Sequence, residues 1–160
     1  MNWEIISSIA EVVGAIGVIF SLAFVGLQIR RNTIANEAAT YQASVGFDIE
    51  MLMSLSSDPD LARIFNAYTW VEESQELTPI DTIRGEYQIT ALLRHLENLF
   101  IQHELGMLSD NIWQTRKALL AAVVLSPGYD RFLMTPSART FEGAFLKYAT
   151  TLRTDQDSEQ

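Results

Sequence analysis

The sequence predicts an all-α protein: an N-terminal transmembrane helix that continues into an amphipathic helix, followed by a cytosolic bundle of about four helices. Three observations support this fold class. The chain is nearly uncharged before Arg30, its later apolar residues recur at spacings of three and four, and its prolines stand where helices begin. No stretch alternates apolar and polar residues as a half-buried strand would.

The first element is a candidate membrane span, which we assign to residues 4–29. Ile5 to Ile29 contains a single charge, Glu11, and a bilayer core requires roughly 20 helical residues. A signal peptide is a weaker interpretation, because the segment begins Met-Asn-Trp-Glu and has no basic residue before Arg30. A buried helix of a soluble core is the other alternative, since Ser7, Ser8 and Glu11 lower the hydropathy.

Basic residues set the expected orientation of this span. All 11 lysines and arginines lie at or after Arg30, and the pair Arg30 and Arg31 directly follows the apolar run. Short loops rich in basic residues stay in the cytoplasm, so we expect the C-terminal side to be cytoplasmic and the span to be single-pass. Trp3, Arg30 and Arg31 are the predicted anchors at the two membrane boundaries.

Residues 30–153 form the predicted cytosolic helical domain, and 154–160 a polar tail. The span is expected to continue to about Leu55 as a helix with an apolar stripe that needs cover, and Gly46 is the likeliest break. The stripe consists of Ile34, Ala38, Tyr41, Val45, Ile49 and Leu52. Further helices are expected from Pro59 to about Trp70, from Pro79 to about Leu105 before Gly106, from Asp110 to before Ser126, over a short turn at Tyr129 to Met134, and from Thr135-Pro136 to the tail.

Composition excludes several function classes. The 160 residues amount to one domain and include no cysteine, so disulfides, thiolate metal sites and cysteine nucleophiles are excluded. A formal net charge of −9 repels nucleic-acid phosphates, so nucleic acid is not an expected partner. No motif indicates a cofactor or a catalytic nucleophile, and we expect no enzyme activity.

The long helix predicted at 79–105 contains two pairs of polar residues that could form a site. His95 and His103 are eight positions apart, which places them about 12 Å apart along a helix axis, too far to share one metal ion. Arg94 and Glu97 share a face with apolar residues and are spaced for contact. They form a candidate buried polar pair that fixes helix packing, or alternatively the polar lining of a ligand pocket.

A second candidate site lies in the span. Small residues at helical spacing allow two helices to approach closely, and this predicted helix-packing face comprises Ser7, Ala10, Glu11, Gly14, Gly17 and Ser21. Glu11 borders the face near the outer boundary. It either reaches water there or, in a ring of such helices, lies at the mouth of a pore.

The junction Leu27-Gln28-Ile29-Arg30-Arg31-Asn32-Thr33 resembles that of a widespread group of small bacterial single-pass membrane proteins of uncharacterised function. The similarity continues in order through Arg94, Glu97-Asn98, Gln102, Gly106-Met107-Leu108, Trp113 and Pro127-Gly128. The resemblance implies architecture and a bacterial inner membrane. It implies no activity and no catalytic residue.

These observations lead to one preferred function and two alternatives. We expect a membrane-anchored interaction or assembly subunit that self-associates as a homo-oligomer or joins a larger membrane complex, with the lipid bilayer as its surroundings. The first alternative is a small-ligand-binding or sensory helical module at the membrane. An oligomeric channel is the second.

Overall fold

The computed structural model describes residues 3–72 and 77–158, and these residues are all-α. A long apolar N-terminal helix is followed by a packed helical bundle, as the sequence predicts. The elements are α1 (Trp3–Ser57), α2 (Pro59–Trp70), α3 (Pro79–Glu104), α4 (Asp110–Val124), α5 (Pro127–Leu133), a 3₁₀ helix (Pro136–Thr140) and α6 (Gly143–Ser158). The chain divides into two compact units, Met1–Ala39 and Thr40–Gln160.

The first unit is the N-terminal part of α1. Its residues from Ser7 onward are exposed or, at Glu37, half-buried. The helix from Ser7 is long and apolar enough to cross a membrane, and an 18-residue stretch of it has a mean hydropathy of 2.3. A signal sequence near an N-terminus can meet the same criteria, so the finding is limited to one helix that is long and apolar enough to span a membrane.

The predicted continuation of the helix to about Leu55 is confirmed, because α1 ends at Ser57 and has no break at Gly46, the likeliest place for one. A glycine inside a helix costs only about 1 kcal/mol relative to alanine, and no proline interrupts the chain before Pro59. The boundaries of α2, α3 and α4 agree with the sequence to within one or two residues. Asp58 caps α2, Thr78 and Asp81 form a capping box on α3, and Gly106 adopts a φ of 69° after α3.

The core of the second unit comes from one face of each helix after α1. Apolar side chains of α3 and α4 form its centre, and aromatic residues of α5 and α6 close it. Its members include Ile64, Tyr68, Ile89, Leu93, Leu96, Leu99, Trp113, Leu120, Val123, Val124, Tyr129, Phe132, Phe141, Phe145, Ala149 and Leu152. Two close approaches tighten the packing, since a Cβ on Gly85 would lie 2.5 Å from the Tyr68 side chain and one on Gly128 would lie 2.6 Å from the Thr69 Cα.

The last predicted helix is two elements instead of one. Thr135-Pro136 opens a 3₁₀ helix that ends at Thr140, and α6 begins at Gly143. The break arises because the Glu142 carboxylate accepts from the backbone N–H groups of Ala144 (2.6 Å) and Phe145 (3.1 Å), which caps a new helix. Ala144 is exposed, and α6 continues to Ser158, within the predicted polar tail.

The part of α1 in the second unit, residues 40–57, turns an unexpected face toward the bundle. Its predicted apolar stripe remains largely uncovered, with Tyr41, Ile49 and Leu52 exposed. The bundle is met instead by Ser44, Phe47, Asp48 and Met51. The sequence-based stripe therefore identifies apolar surface that the described helices of this unit do not bury.

Candidate functional site

An open groove runs between residues 40–57 of α1 and helix α3, and we call it the α1–α3 groove. One end has a volume of ≈ 580 Å³ and the other ≈ 360 Å³, and Phe47 and Ala91 line both. Arg94, His95, Glu97, Asn98 and Ile101 complete the first end, and Glu50, Met51, Ser54 and Gln88 complete the second. The groove is mostly apolar, with polar groups concentrated near Arg94.

Apolar side chains continue along α3 beside this groove. Ile80, Ile83, Tyr87 and Ala91 follow one another at spacings of three and four, so they share one face of the helix. We call them the α3 stripe. All four are exposed, Ile80 and Tyr87 by more than half at 62% and 66%. The opposite face of α3 holds the core residues Ile89, Leu93 and Leu96, so the helix is apolar on both sides.

Arg94 and Glu97 are in contact at the end of the groove. The Arg94 Nη1 donates to Glu97 Oε2 at 2.5 Å, and the Glu97 side chain is only 5% exposed. The second carboxylate oxygen of Glu97 accepts from the backbone N–H of Glu142 at 2.6 Å. The Arg94 Nη2 donates to Thr140 Oγ1 at 2.6 Å, and its guanidinium lies 3.8 Å from the centre of the Phe141 ring.

This arrangement explains where the chain breaks between the 3₁₀ helix and α6. Glu97 accepts a hydrogen bond from the N–H of Glu142, and Arg94 donates to Thr140 and lies over the Phe141 ring. The pair thus contacts all three residues at the break, 140–142. Both Glu97 oxygens are occupied within the chain, while Arg94 remains 45% exposed at the groove. Of these two charged side chains, the arginine is therefore the one that can offer hydrogen bonds to a molecule in the groove.

His95 lies at the centre of a second polar cluster, which we call the His95 cluster: Ser44 and Asp48 of α1, His95 of α3 and Arg116 of α4. The His95 Nε2 is 3.4 Å from Ser44 Oγ and 3.8 Å from Asp48 Oδ1. Arg116 Nη1 donates to Asp48 Oδ2 at 2.6 Å. The imidazole also stacks on Phe47, with ring centres 4.1 Å apart and planes 13° apart.

The geometry of the His95 cluster does not suit nucleophilic catalysis. Ser44 and Asp48 approach the same nitrogen of His95, whereas a catalytic histidine accepts from its nucleophile on one nitrogen and is oriented by a carboxylate on the other. Ser44 is also only 2% exposed, so its hydroxyl is buried while residues 40–57 lie against the bundle. Burial lowers the pKa of His95, and the neighbouring Arg116 lowers it further against the opposing effect of Asp48.

The other histidine forms a separate contact. The His103 Nε2 lies 2.8 Å from Asp110 Oδ1, its Nδ1 lies 3.8 Å from Glu104 Oε1, and the ring stacks on Trp113. The two carboxylates thus approach opposite nitrogens and do not converge on one point. Within residues 3–72 and 77–158, no group of three or more histidine, aspartate or glutamate side chains is placed to hold a metal ion.

Two arginines of the bundle act on the backbone or on a neighbouring helix. Arg131 donates to the carbonyl of Tyr68 and, at 2.7 Å, to those of Val71 and Glu72, which satisfies the C-terminal end of α2. Arg153 makes a two-pronged ion pair with Asp130, and this hydrogen bonding lowers the pKa of the Asp130 carboxyl. These contacts join α5 to α2 and α6 to α5.

The predicted packing face of the first unit lies on exposed helix. A Cβ on Gly14 or Gly17 would meet nothing within 4 Å, and the Ser21 hydroxyl donates to the Gly17 carbonyl at 2.8 Å. Ser7, Ala10 and Glu11 are exposed, as are the predicted anchors Trp3, Arg30 and Arg31. The role of these residues in helix association and membrane anchoring stays a prediction.

Sequence reasoning identified Arg94 and Glu97 but missed their partners, as well as the entire His95 cluster. Thr140 and Glu142 lie more than forty positions away, and nothing in the local pattern links them to α3. One signal was available for the other cluster: Ser44, Phe47, Asp48 and Met51 recur at helical spacing and define a mixed face beside the purely apolar stripe.

Comparison of the chain with protein-family models, with curated proteins and with solved structures finds no match. The resemblance to small bacterial membrane proteins therefore rests on the quoted residues alone.

Proposed function

We propose that this protein is a membrane-anchored interaction or assembly subunit without catalytic chemistry of its own. The N-terminal part of α1 crosses the bacterial inner membrane once, and the helical unit that follows lies in the cytoplasm because Arg30 and Arg31 resist translocation. The protein self-associates, or joins a larger membrane complex, through its span and through the apolar surface of the helical unit.

The observation that carries this proposal is the exposed α3 stripe. A surface helix of a monomer normally places its apolar face on the core and polar residues outside, yet α3 is apolar on both faces. Fully burying one large apolar side chain contributes about 1.5–3 kcal/mol, so covering Ile80, Ile83 and Tyr87 would strongly favour association. Contiguous exposed apolar surface of this kind marks interaction sites.

The test is a matched pair of variants of the full chain, in each of which one alanine is replaced by glutamate. Ala91→Glu places a charge in the α3 stripe, and Ala118→Glu makes the same change at an exposed position of α4. Assembly is measured by chemical crosslinking in native membranes and by mass in mild detergent. We expect Ala91→Glu to lower the assembled fraction and Ala118→Glu to leave it at the parent level. Equal behaviour of both variants, or a parent that is monomeric in native membranes, contradicts the proposal.

A second candidate function is small-ligand binding, favoured by the groove beside Arg94. Its volume of ≈ 580 Å³ lies within the range of about 300–1,000 Å³ that ligand sites occupy, and an exposed guanidinium stands among apolar side chains. Native mass spectrometry of the purified protein tests it. A bound small molecule that is lost in Ala91→Glu and retained in Ala118→Glu would favour this function over assembly.

A further inference from the structure

The His95 cluster is the only place in the described residues where an ionisable imidazole is held between α1 and two helices of the bundle. We propose that it is a proton-operated latch, which holds residues 40–57 of α1 against α3 and α4 while His95 is neutral and releases them when His95 takes up a proton. This proposal goes beyond the proposed function and does not depend on it.

The contacts of residues 40–57 show why one side chain can control the docking of this segment. Most of the segment faces solvent, including its apolar residues Tyr41, Ile49 and Leu52. The attachment involves Met51 packed against the core, Phe47 stacked on the His95 ring, Asp48 paired with Arg116, and the 2%-exposed Ser44 beside His95 Nε2. The imidazole takes part in two of these four contacts, so a change in its charge acts on the attachment directly.

The charges around His95 determine the direction of the effect. Asp48 approaches from α1 and Arg116 from α4, while Arg94 and Glu97 on α3 itself are already paired with each other. The single Asp48 carboxylate is engaged by Arg116 at 2.6 Å and lies 3.8 Å from His95. A protonated His95 therefore competes with Arg116 for one carboxylate. Its charge also lacks hydration in the docked state, because the side chain is only 9% exposed there.

The pH window follows from the same environment. Docking lowers the pKa of His95 because burial outweighs the attraction of Asp48, whereas the released side chain has the ordinary histidine pKa of about 6.5. The released state thus binds a proton more readily than the docked state. Docking is unaffected well above about pH 6.5 and weakens as the pH falls below that value. Release would uncover Phe47, His95 and Arg116 and open one wall of the α1–α3 groove.

The experiment measures the distance between α1 and α4 in the full chain. The sequence contains no cysteine, so Gln42→Cys and Gln114→Cys at two exposed positions accept spin labels specifically. Distances are measured in lipid nanodiscs between about pH 8 and about pH 5, the range in which histidine titrates. We expect one short-distance population at the higher pH, and its reversible loss to longer and broader distances as the pH falls.

The two histidines provide matched variants in the labelled background. His95→Gln should abolish the pH dependence of the distance, and His103→Gln should retain it. In the protein with both histidines intact, NMR of labelled imidazole rings should show His95 titrating at the same pH as the distance change, which keeps the test independent of how His95→Gln folds. A distance that is constant over this pH range, a transition that survives in His95→Gln, or a His95 titration that does not coincide with the distance change would each overturn the latch.

Discussion

Replacing Glu97 with glutamine tests whether the Arg94–Glu97 pair is what holds the break between the 3₁₀ helix and α6. The substitution preserves shape but removes the charge of a side chain that is 5% exposed. The amide oxygen of the glutamine can still accept a hydrogen bond from the Glu142 N–H. The amide nitrogen then faces the Arg94 guanidinium, donor against donor, where the carboxylate accepted at 2.5 Å.

The expected magnitude follows from these two contacts. Hydrogen bonds to charged groups are each worth about 1.5–3 kcal/mol, and Glu97→Gln loses one of them while weakening the other. Arg94 is half-exposed and can turn toward water, which limits the penalty for its lost partner. We therefore expect the free energy of unfolding of the helical unit to fall by about 2 kcal/mol, with a larger loss of about 3–4 kcal/mol for Glu97→Ala, which leaves the Glu142 N–H unsatisfied.

Urea unfolding of the full chain in mild detergent, followed by near-UV circular dichroism of the aromatic core, measures this difference. Glu50→Gln makes the same substitution at an exposed carboxylate of α1 and should unfold within about 0.5 kcal/mol of the parent. If Glu97→Gln is as stable as Glu50→Gln, the pair does not maintain the fold. Unchanged stability together with a lost small molecule would instead assign Arg94 and Glu97 to a ligand site.

Three further predictions concern the span and the core. A reporter fused after Gln160 should be cytoplasmic in intact cells, because the basic pair after the span resists translocation, and access to an external protease would contradict this topology. Replacing Gly14 and Gly17 together with leucine should leave membrane insertion intact and lower the assembled fraction in mild detergent, whereas an unchanged mass would argue against the small-residue face. Gly128→Ala should destabilise the helical unit by about 1–3 kcal/mol, since the added Cβ would lie 2.6 Å from the Thr69 backbone, while Gly46→Ala, which meets nothing within 4 Å, should be neutral or slightly stabilising in the same urea titration.

Much of the fold was predictable because its signals are local. Asp58-Pro59 and Thr78-Pro79 place a capping side chain directly before a proline, and both start helices where expected. Gly106 supplies the positive φ that ends α3. Each of these features depends on backbone groups within a few residues, so a single sequence contains the information.

The faces of the helices were less predictable, because apolar periodicity does not say which surface will cover a stripe. The pattern from Tyr41 to Leu52 is as regular as that of a core helix, yet the described bundle leaves it exposed and contacts the mixed face of Ser44, Phe47 and Asp48. On α3 the stripe through Ile83 and Tyr87 is likewise outside, and the core uses the opposite face. A helix that is apolar on two faces has two ways to pack, and only its neighbours decide between them.

By itself the sequence determined the all-α class, the long apolar N-terminal helix and most helix boundaries, since these follow from chain length, local hydrogen bonding and residue spacing. Only the tertiary structure brought Thr140 and Glu142 to the Arg94–Glu97 pair, and Ser44, Asp48 and Arg116 to His95. Those contacts join residues far apart in the chain. Their geometry depends on how whole helices pack, because a side chain's partners at such separations are selected by the burial of the core and not by its neighbours in sequence.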